Sequence, residues 1–256
     1  MRELKYEKEA FTLYRGNCFR VLKKIEPNSI DTIITDPPYF LSNGGITCQN
    51  GKMVSVNKGT WDQRGAFKEV YEFNKRWIDH SYHLLKPGGT LWVSGTHHNI
   101  LTIGSIIDEM SDFRLLNSIT WIKPSPPPNL SCRFFTHSTE TILWVRKGQK
   151  TKHFFNYQLM KRLNGDKQMK DVWTIGRPKK SEKVYGKHPT QKPEALIERI
   201  VLASTQEGDT VLDMFSGSGT TGAVSIRHNR RFIGVEQENE YYKFSKKRLV
   251  NASKDA

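Results

Sequence analysis

Asp209–Glu236 reads DTVLDMFSGSGTTGAVSIRHNRRFIGVE, and its pattern decides the fold class. The apolar run DTVLDMF is a strand, the glycine turn SGSGTTG opens a helix, and RRFIGVE is a second strand. Strand, turn, helix and strand in this order are the unit of a mainly parallel α/β sheet with helices on both faces. The turn from Gly217 to Gly222 matches the dinucleotide fingerprint, with Glu236 at the next strand end, 19 residues beyond Gly217. Glycines let a ligand approach the backbone, the helix N-terminus offers N–H groups to an anion, and a carboxylate at the following strand end accepts from ribose hydroxyls. A nicotinamide dinucleotide and S-adenosylmethionine both meet that description, so the turn alone leaves the cofactor open. The lack of G-K-[ST] after it excludes a Walker P-loop. Only 20 residues follow Glu236, so the remaining strands must come from upstream, whereas a usual NAD domain begins with its fingerprint.

Upstream, FTLYRGN (11–17), CFRVLKKI (18–25) and IDTIITDPPY (30–39) read as strand, helix and strand, a βαβ unit. Residues 41–65 hold five glycines and no sustained period, which predicts a long loop. Val70, Phe73, Trp77, Leu84 and Leu85 share a helical face, and Pro87-Gly88-Gly89 ends that helix before the strand TLWVSG. HHNILTIGSIIDEM is a second amphipathic helix. RLLNSITWIKP and THSTETILWVRKG are two strands expected to run antiparallel, because only a proline-rich connection separates them.

Asp36-Pro37-Pro38-Tyr39 ends an apolar strand, at the sheet edge where ligands bind. An exocyclic amine on a base delocalises its lone pair into the ring and is a poor nucleophile. A carboxylate and a backbone carbonyl that accept its two N–H bonds favour a more tetrahedral, reactive nitrogen. Asp36 and the Pro37 carbonyl can be those acceptors, Pro38 keeps the backbone stiff, and the Tyr39 ring can stack on the base. No cysteine nucleophile is required, and Cys18, Cys48 and Cys132 have neither disulfide nor zinc spacing.

The chain has 256 residues and a formal charge of +14, with 36% hydrophobic residues, enough to bury a core. Ten of those charges lie in residues 146–187, where 13 Lys and Arg face 3 Asp and Glu among interleaved aromatics, the pattern of a nucleic-acid surface. No apolar stretch approaches the roughly 20 residues of a membrane span. The N-terminus lacks the apolar core of a secretory signal, so a cytoplasmic protein without a membrane partner is expected. His80 with His83, and His97 with His98, lack a third ligand at a telling spacing, so no metal site is expected.

Taken together, Asp36–Tyr39, Leu85–Gly89, the block His188–Pro193, Asp213–Gly219 and Arg231–Glu236 resemble the β-class DNA adenine-N6 methyltransferases that use S-adenosylmethionine. FLSNGG (40–45), PNLSCRFFTHSTETILW (128–144) and GDKQMKDVW (165–173) are similar to the GATC-specific, single-strand-accepting adenine methylases of DpnII-type restriction–modification systems. The resemblance implies a seven-stranded, mainly parallel Rossmann-like methyltransferase sheet, circularly permuted so that the catalytic motif precedes the cofactor motif. It divides the chain into a catalytic half (1–145), a small basic target-recognition insertion (146–187) and a cofactor half (188–256).

Carried over by position, the resemblance implies that Asp36, Asp213, Phe215, Gly217, Gly219 and Thr220 line the cofactor pocket. Glu236 would bind the ribose, and Thr190 and Lys192 would lie beside the methionine carboxylate. Asn17 stands where the family often has an acidic residue, and its amide can still contact the cofactor. Phe134 or Phe135 would stack on a flipped base, Trp61 would order over DNA, and Lys170, Lys179 and Lys180 would supply DNA contacts. The implied partners are DNA, a homodimeric copy and a cognate restriction nuclease. Cytosine-N4 methylation uses the same amine logic, but that activity usually has Ser in place of Asp36, and RNA remains an alternative polymer. An NAD-dependent oxidoreductase would leave Asp36–Tyr39 idle, and a non-catalytic DNA-binding protein would leave both strand-end motifs idle.

Overall fold

The computed structural model describes residues 3–40, 46–49, 52–55 and 66–254. In chain order the strands are β1 (Leu4–Lys8), β2 (Phe11–Arg15), β3 (Ile30–Thr35), β4 (Ile46–Gln49), β5 (Lys52–Ser55), β6 (Leu85–Gly95), β7 (Phe113–Ile122), β8 (Thr139–Lys147), β9 (Val172–Thr174), β10 (Thr210–Asp213) and β11 (Arg231–Glu236). The helices are α1 (Cys18–Leu22), α2 (Phe67–Leu84), α3 (Ile100–Glu109), α4 (Tyr157–Leu163), α5 (Glu194–Ser204), α6 (Thr220–Arg227) and α7 (Asn239–Ala252).

Nine strands form one sheet in the order β1-β2-β11-β10-β3-β6-β8-β7-β9. From β2 to β6 every neighbouring pair is parallel, while β1–β2, β6–β8 and β8–β7 are antiparallel. The sheet therefore has nine strands instead of the expected seven. The two additional ones lie at its edges, and each gives a weak sequence signal. β1 is a mostly exposed, charged LKYEK paired with β2, and β9 is three residues paired with β7. A second departure concerns the first βαβ unit: β2 and β3 are not neighbours, because β11 and β10 from the end of the chain lie between them. Within the stretch read as a loop, β4 and β5 pair as an antiparallel hairpin.

Side chains alternate across each strand, and this builds two cores. Ile34, Trp92 and Val211 face the layer of α5, α6 and α7, where they join Leu196, Ile200, Val224 and Leu249. Their chain neighbours Ile33, Leu91, Val93 and Leu212 face α1, α2 and α3, beside Leu22, Trp77, Ile78, Ile103 and Ile106. Trp92 and Trp144, from adjacent strands, stack with ring centroids 4.7 Å apart. Part of the basic stretch is core as well: Trp173 and Ile175 are buried, and Lys147 Nζ donates to Leu85 O at 2.7 Å and Asn28 Oδ1 at 2.8 Å.

Leaving β10, the chain crosses through α6 to β11 on one side; leaving β3, it crosses through α2 to β6 on the other. The connections diverge between β10 and β3, so a crevice opens there at the carboxyl ends of the strands. Asp36, Asp213, Glu236 and Gly16 all lie at that edge, as does Glu140, because β8 runs antiparallel and begins there.

Candidate active site

Two adjoining cavities occupy the crevice. The larger, about 340 Å³, is lined by Asn17, Asp36–Phe40, Phe73, His188, Thr190, Met214, Phe215, Gly217, Glu236 and Tyr241, among others. The smaller, about 50 Å³, shares Asp36, His188, Thr190, Phe215 and Gly217 and adds Ser94, Lys192, Asp213, Ser218 and Thr220. The strand-end carboxylate and the glycine turn thus open on the same space.

At the turn, Gly217 (φ 50°) and Gly219 (φ 77°) adopt left-handed backbone, which L side chains rarely accept. A Cβ on Gly219 would also stand 2.6 Å from Ser245 Oγ. The Glu236 carboxylate accepts the backbone N–H groups of Gly217 and Glu238, both at 2.7 Å. Burial pushes its pKa up to about 7, although those two donors hold it down. Asp213 is likewise pushed up to about 7 by burial; it accepts the Phe215 N–H at 3.1 Å and the Thr35 hydroxyl at 3.3 Å.

Asp36 sits in a network that crosses four strand ends. Its Oδ1 accepts from Ser94 Oγ at 2.8 Å and from the Tyr39 hydroxyl, and its Oδ2 accepts from Lys192 Nζ at 2.7 Å. Lys192 also reaches Glu140 Oε2 at 3.3 Å, and the other Glu140 oxygen accepts from Lys123 at 2.6 Å. Burial works against the Lys192 charge, but the Asp36 and Glu140 carboxylates outweigh it and raise its pKa. Burial likewise works against the Glu140 charge, and the two lysines overcome it and lower that pKa. Tyr39 is held well above the ordinary phenol value by burial and by both carboxylates, so it stays a donor.

The structure brings Asn17, Asp36–Tyr39, Thr190, Phe215, Gly217 and Glu236 to the larger cavity, and Lys192, Asp213 and Thr220 to the smaller one. Gly219 caps α6 just behind them. Lys192 is tied to Asp36, and the Tyr39 ring is covered, with 6% of its surface exposed. Phe134, Phe135, Lys170, Lys179 and Lys180 lie on the surface, and Trp61 lies outside the described residues. Among the residues that sequence reasoning missed are Ser94, Glu140 and Lys123, along with His188, Phe73 and Tyr241 at the cavity wall. Only His188 had a signal, through its place in the His188–Pro193 block.

Glu140 lines neither cavity; it contacts Lys192, which in turn donates to Asp36. A Glu140→Gln variant is expected to lose about 1.5–3 kcal/mol at neutral pH, the value of a hydrogen bond to a charged group. Because pairing lowers the Glu140 pKa, its contribution is present above the usual carboxylate range and lost as pH falls through the lowered value. Urea unfolding should therefore separate variant from wild type at pH 7 and bring them together in acid.

The cradle fits S-adenosylmethionine: a glycine turn at a helix start, a buried carboxylate one strand away, and the aromatic walls Phe73, Phe215 and Tyr241 around a cavity of about 340 Å³. Residues 30–247 match the family described as DNA methylase. The chain is 57% identical over 245 residues to the type II methyltransferase M2.LlaDCHI of Lactococcus lactis subsp. cremoris, covering 95% of this chain and 91% of that one. Identity and coverage are the same for M2.DpnII of Streptococcus pneumoniae. Among solved structures, the M1.HpyAVI–SAM complex superposes with a TM-score of 0.68 at 30% identity, over 93% of this chain and 98% of that one. The chain belongs to the DNA methylase family and is a DNA methyltransferase that takes its methyl group from S-adenosylmethionine.

Proposed function

We propose that the chain methylates adenine N6 in DNA at a GATC target, as the modification arm of a restriction–modification system, with a base that is flipped or already unpaired. The observation that carries this reading is that Asp36 lines both cavities beside the Gly217 turn. An intact duplex buries the adenine amine, so the base must leave the stack to reach that carboxylate. Asp36 and the Pro37 carbonyl accept the two N6 hydrogens, the amine taking the place of the Tyr39 hydroxyl on Asp36. That localises the nitrogen lone pair and leaves Asp36 placed to receive the proton the methylated amine must lose. When bound, S-adenosylmethionine supplies an electrophilic methyl group carried on a sulfonium. Glu236 would hold its ribose, with Asn17, Phe215, Gly217 and Thr190 around the rest, and no covalent enzyme intermediate is needed.

On this reading residues 1–145 and 188–256 are the catalytic and cofactor halves of a circularly permuted domain, and 146–187 is the target-recognition insertion. A homodimer and a cognate nuclease belong to the same reading, as does a cytoplasmic setting; among the described residues no helix is long and apolar enough to cross a membrane. Incubation with methyl-labelled cofactor and separate single- and double-stranded GATC oligonucleotides, followed by nucleoside analysis, tests it. N6-methyladenine is expected; label in N4-methylcytosine would instead establish the alternative amine.

Two further outcomes follow. Ribose hydroxyls donate to an ionised Glu236, so cofactor affinity should rise with pH through about 7 and level above it. The slope below that point approaches about tenfold per pH unit. In the unliganded protein the sign is opposite: between the ordinary carboxylate value and about 7 the folded state holds more protons than the unfolded one, so stability falls as pH rises. Calorimetric titration of Glu236→Gln should give a weaker, flatter profile. Lys179 and Lys180 are exposed in the basic stretch. Replacing both with alanine should weaken DNA binding across sequences and reduce the slope of log K against log salt by roughly 1–2.

A further inference from the structure

The chain leaves β6 at Gly95, passes through α3 and β7, and enters β8 at Thr139. Between these points four rings stand in one column. His97 and His98 centroids are 3.8 Å apart, His97 stacks on His137 at 4.4 Å and 24°, and His137 meets Phe134 at 5.4 Å. All four residues are exposed, His97 and His98 after β6 and the other two in the loop between β7 and β8, which also presents Leu130 and Phe135, the latter 96% exposed. Aromatic surface of this kind, left in solvent beside a cleft, marks a binding site.

The loop that carries it is built rather than slack. Lys123 N–H donates to Ser138 O at 2.8 Å and closes its base. Asn129 Nδ2 donates to Phe134 O at 2.6 Å, while Asn129 Oδ1 accepts from the Ser131 backbone at 3.1 Å and hydroxyl at 2.8 Å. Pro126, Pro127 and Pro128 stiffen the approach. The position is equally specific. Ser94, three residues before His97, donates to Asp36, and Glu140, three residues after His137, accepts from Tyr39 and Lys192. Three residues span at most roughly 10 Å, so the column rises from the strand ends that hold the catalytic carboxylate.

Flat rings next to a pocket for a flipped base fit one kind of occupant. A base taken out of its stack leaves each neighbour with an uncovered face, and stacking on an aromatic side chain replaces that contact whatever the base. The loop from Lys123 to His137 contains Arg133 and no acidic residue, which suits a phosphate backbone. Burial and the neighbouring His137 lower the His97 pKa, so at neutral pH its ring is uncharged and stacks rather than pairing with phosphate. We propose that the Phe134–His137–His97–His98 column is a stacking subsite for the unpaired bases beside the target adenine. The inference rests on the DNA reading above and deepens it.

The test is a scan of single-stranded oligonucleotides in which each nucleotide flanking the target is replaced in turn by an abasic one. They are methylated by wild type, by the double variant His97→Ala/His137→Ala, and by His97→Phe/His137→Phe. The alanine variant is expected to raise KM for the intact strand on the order of tenfold, more than it lowers kcat. At one or two flanking positions the abasic strand costs wild type a similar factor and costs the alanine variant nothing further, and the phenylalanine variant regains the wild-type KM. An unchanged KM in the alanine variant, an abasic penalty undiminished at every position, or failure of phenylalanine to rescue overturns the subsite. Wild type assayed on the intact strand and on its duplex reports the underlying reading: no methyladenine in either would sink that reading, whereas methylation of the duplex alone, or an active wild type with indifferent variants, sinks the subsite alone.

Discussion

Asp36→Ala is expected to lower kcat for methyl transfer by about 10²–10⁴-fold. On the proposed mechanism the variant removes the acceptor that localises the amine lone pair and the group that takes up the released proton. It also leaves Lys192 with Glu140 as its remaining carboxylate partner, at 3.3 Å. Because that second partner persists, the lysine keeps a counter-charge and the fold should survive. Cofactor affinity should change far less than kcat, since the end of the cavity proposed to hold the ribose is lined by Glu236, Asn17 and Phe215. Single-turnover transfer measured beside cofactor titration separates the two. Transfer at the wild-type rate would remove Asp36 from the chemistry.

Trp92→Ala should produce the largest loss of stability. Its side chain is 2% exposed, lies against Trp144, and donates from Nε1 to Ser204 Oγ at 3.0 Å. Truncation of a buried tryptophan forfeits transfer free energy and leaves a cavity, together about 3–5 kcal/mol. For a chain of this size that corresponds to a fall in Tm on the order of 10 °C. The same ring lines the smaller cavity, together with Ile34 and Ile142. The loss should therefore carry over to the setting of Ser94 and Asp36, lowering kcat more than the stability of the remaining fold would explain at low temperature. Thermal unfolding checks the first part, and kcat measured well below the variant's Tm checks the second.

The parts of the site that could be read in advance are those whose geometry is local. Gly217 and Glu236 belong to one strand–turn–helix–strand unit, so their approach follows from spacing, and the 2.7 Å bond between them is its consequence. Asp36 was legible because a proline pair after an apolar strand fixes where the chain leaves the sheet. Ser94, Glu140 and Lys123 were not, because their meeting with Asp36 depends on strand order. β6 must lie beside β3, and β8 must run against β6, before residue 140 comes within reach of residue 39. The same non-local pairing hid the insertion of β10 and β11 between β2 and β3. Trp173 read as part of a basic, aromatic nucleic-acid surface, yet three residues of β9 pair with β7 and draw its ring into the core. Lys192 was placed by resemblance beside the cofactor. Its position two residues before α5 puts it on the smaller cavity and between two carboxylates, which compensate the desolvation of a lysine.

On the proposed mechanism the Asp36 strand end and the Gly217 turn form a single transfer site. A crystal structure of the protein with S-adenosylhomocysteine tests it most directly. The ribose hydroxyls are expected on the Glu236 carboxylate, with the sulfur turned towards Asp36. A nucleoside bound away from Glu236, or a sulfur facing away from Asp36, would contradict it.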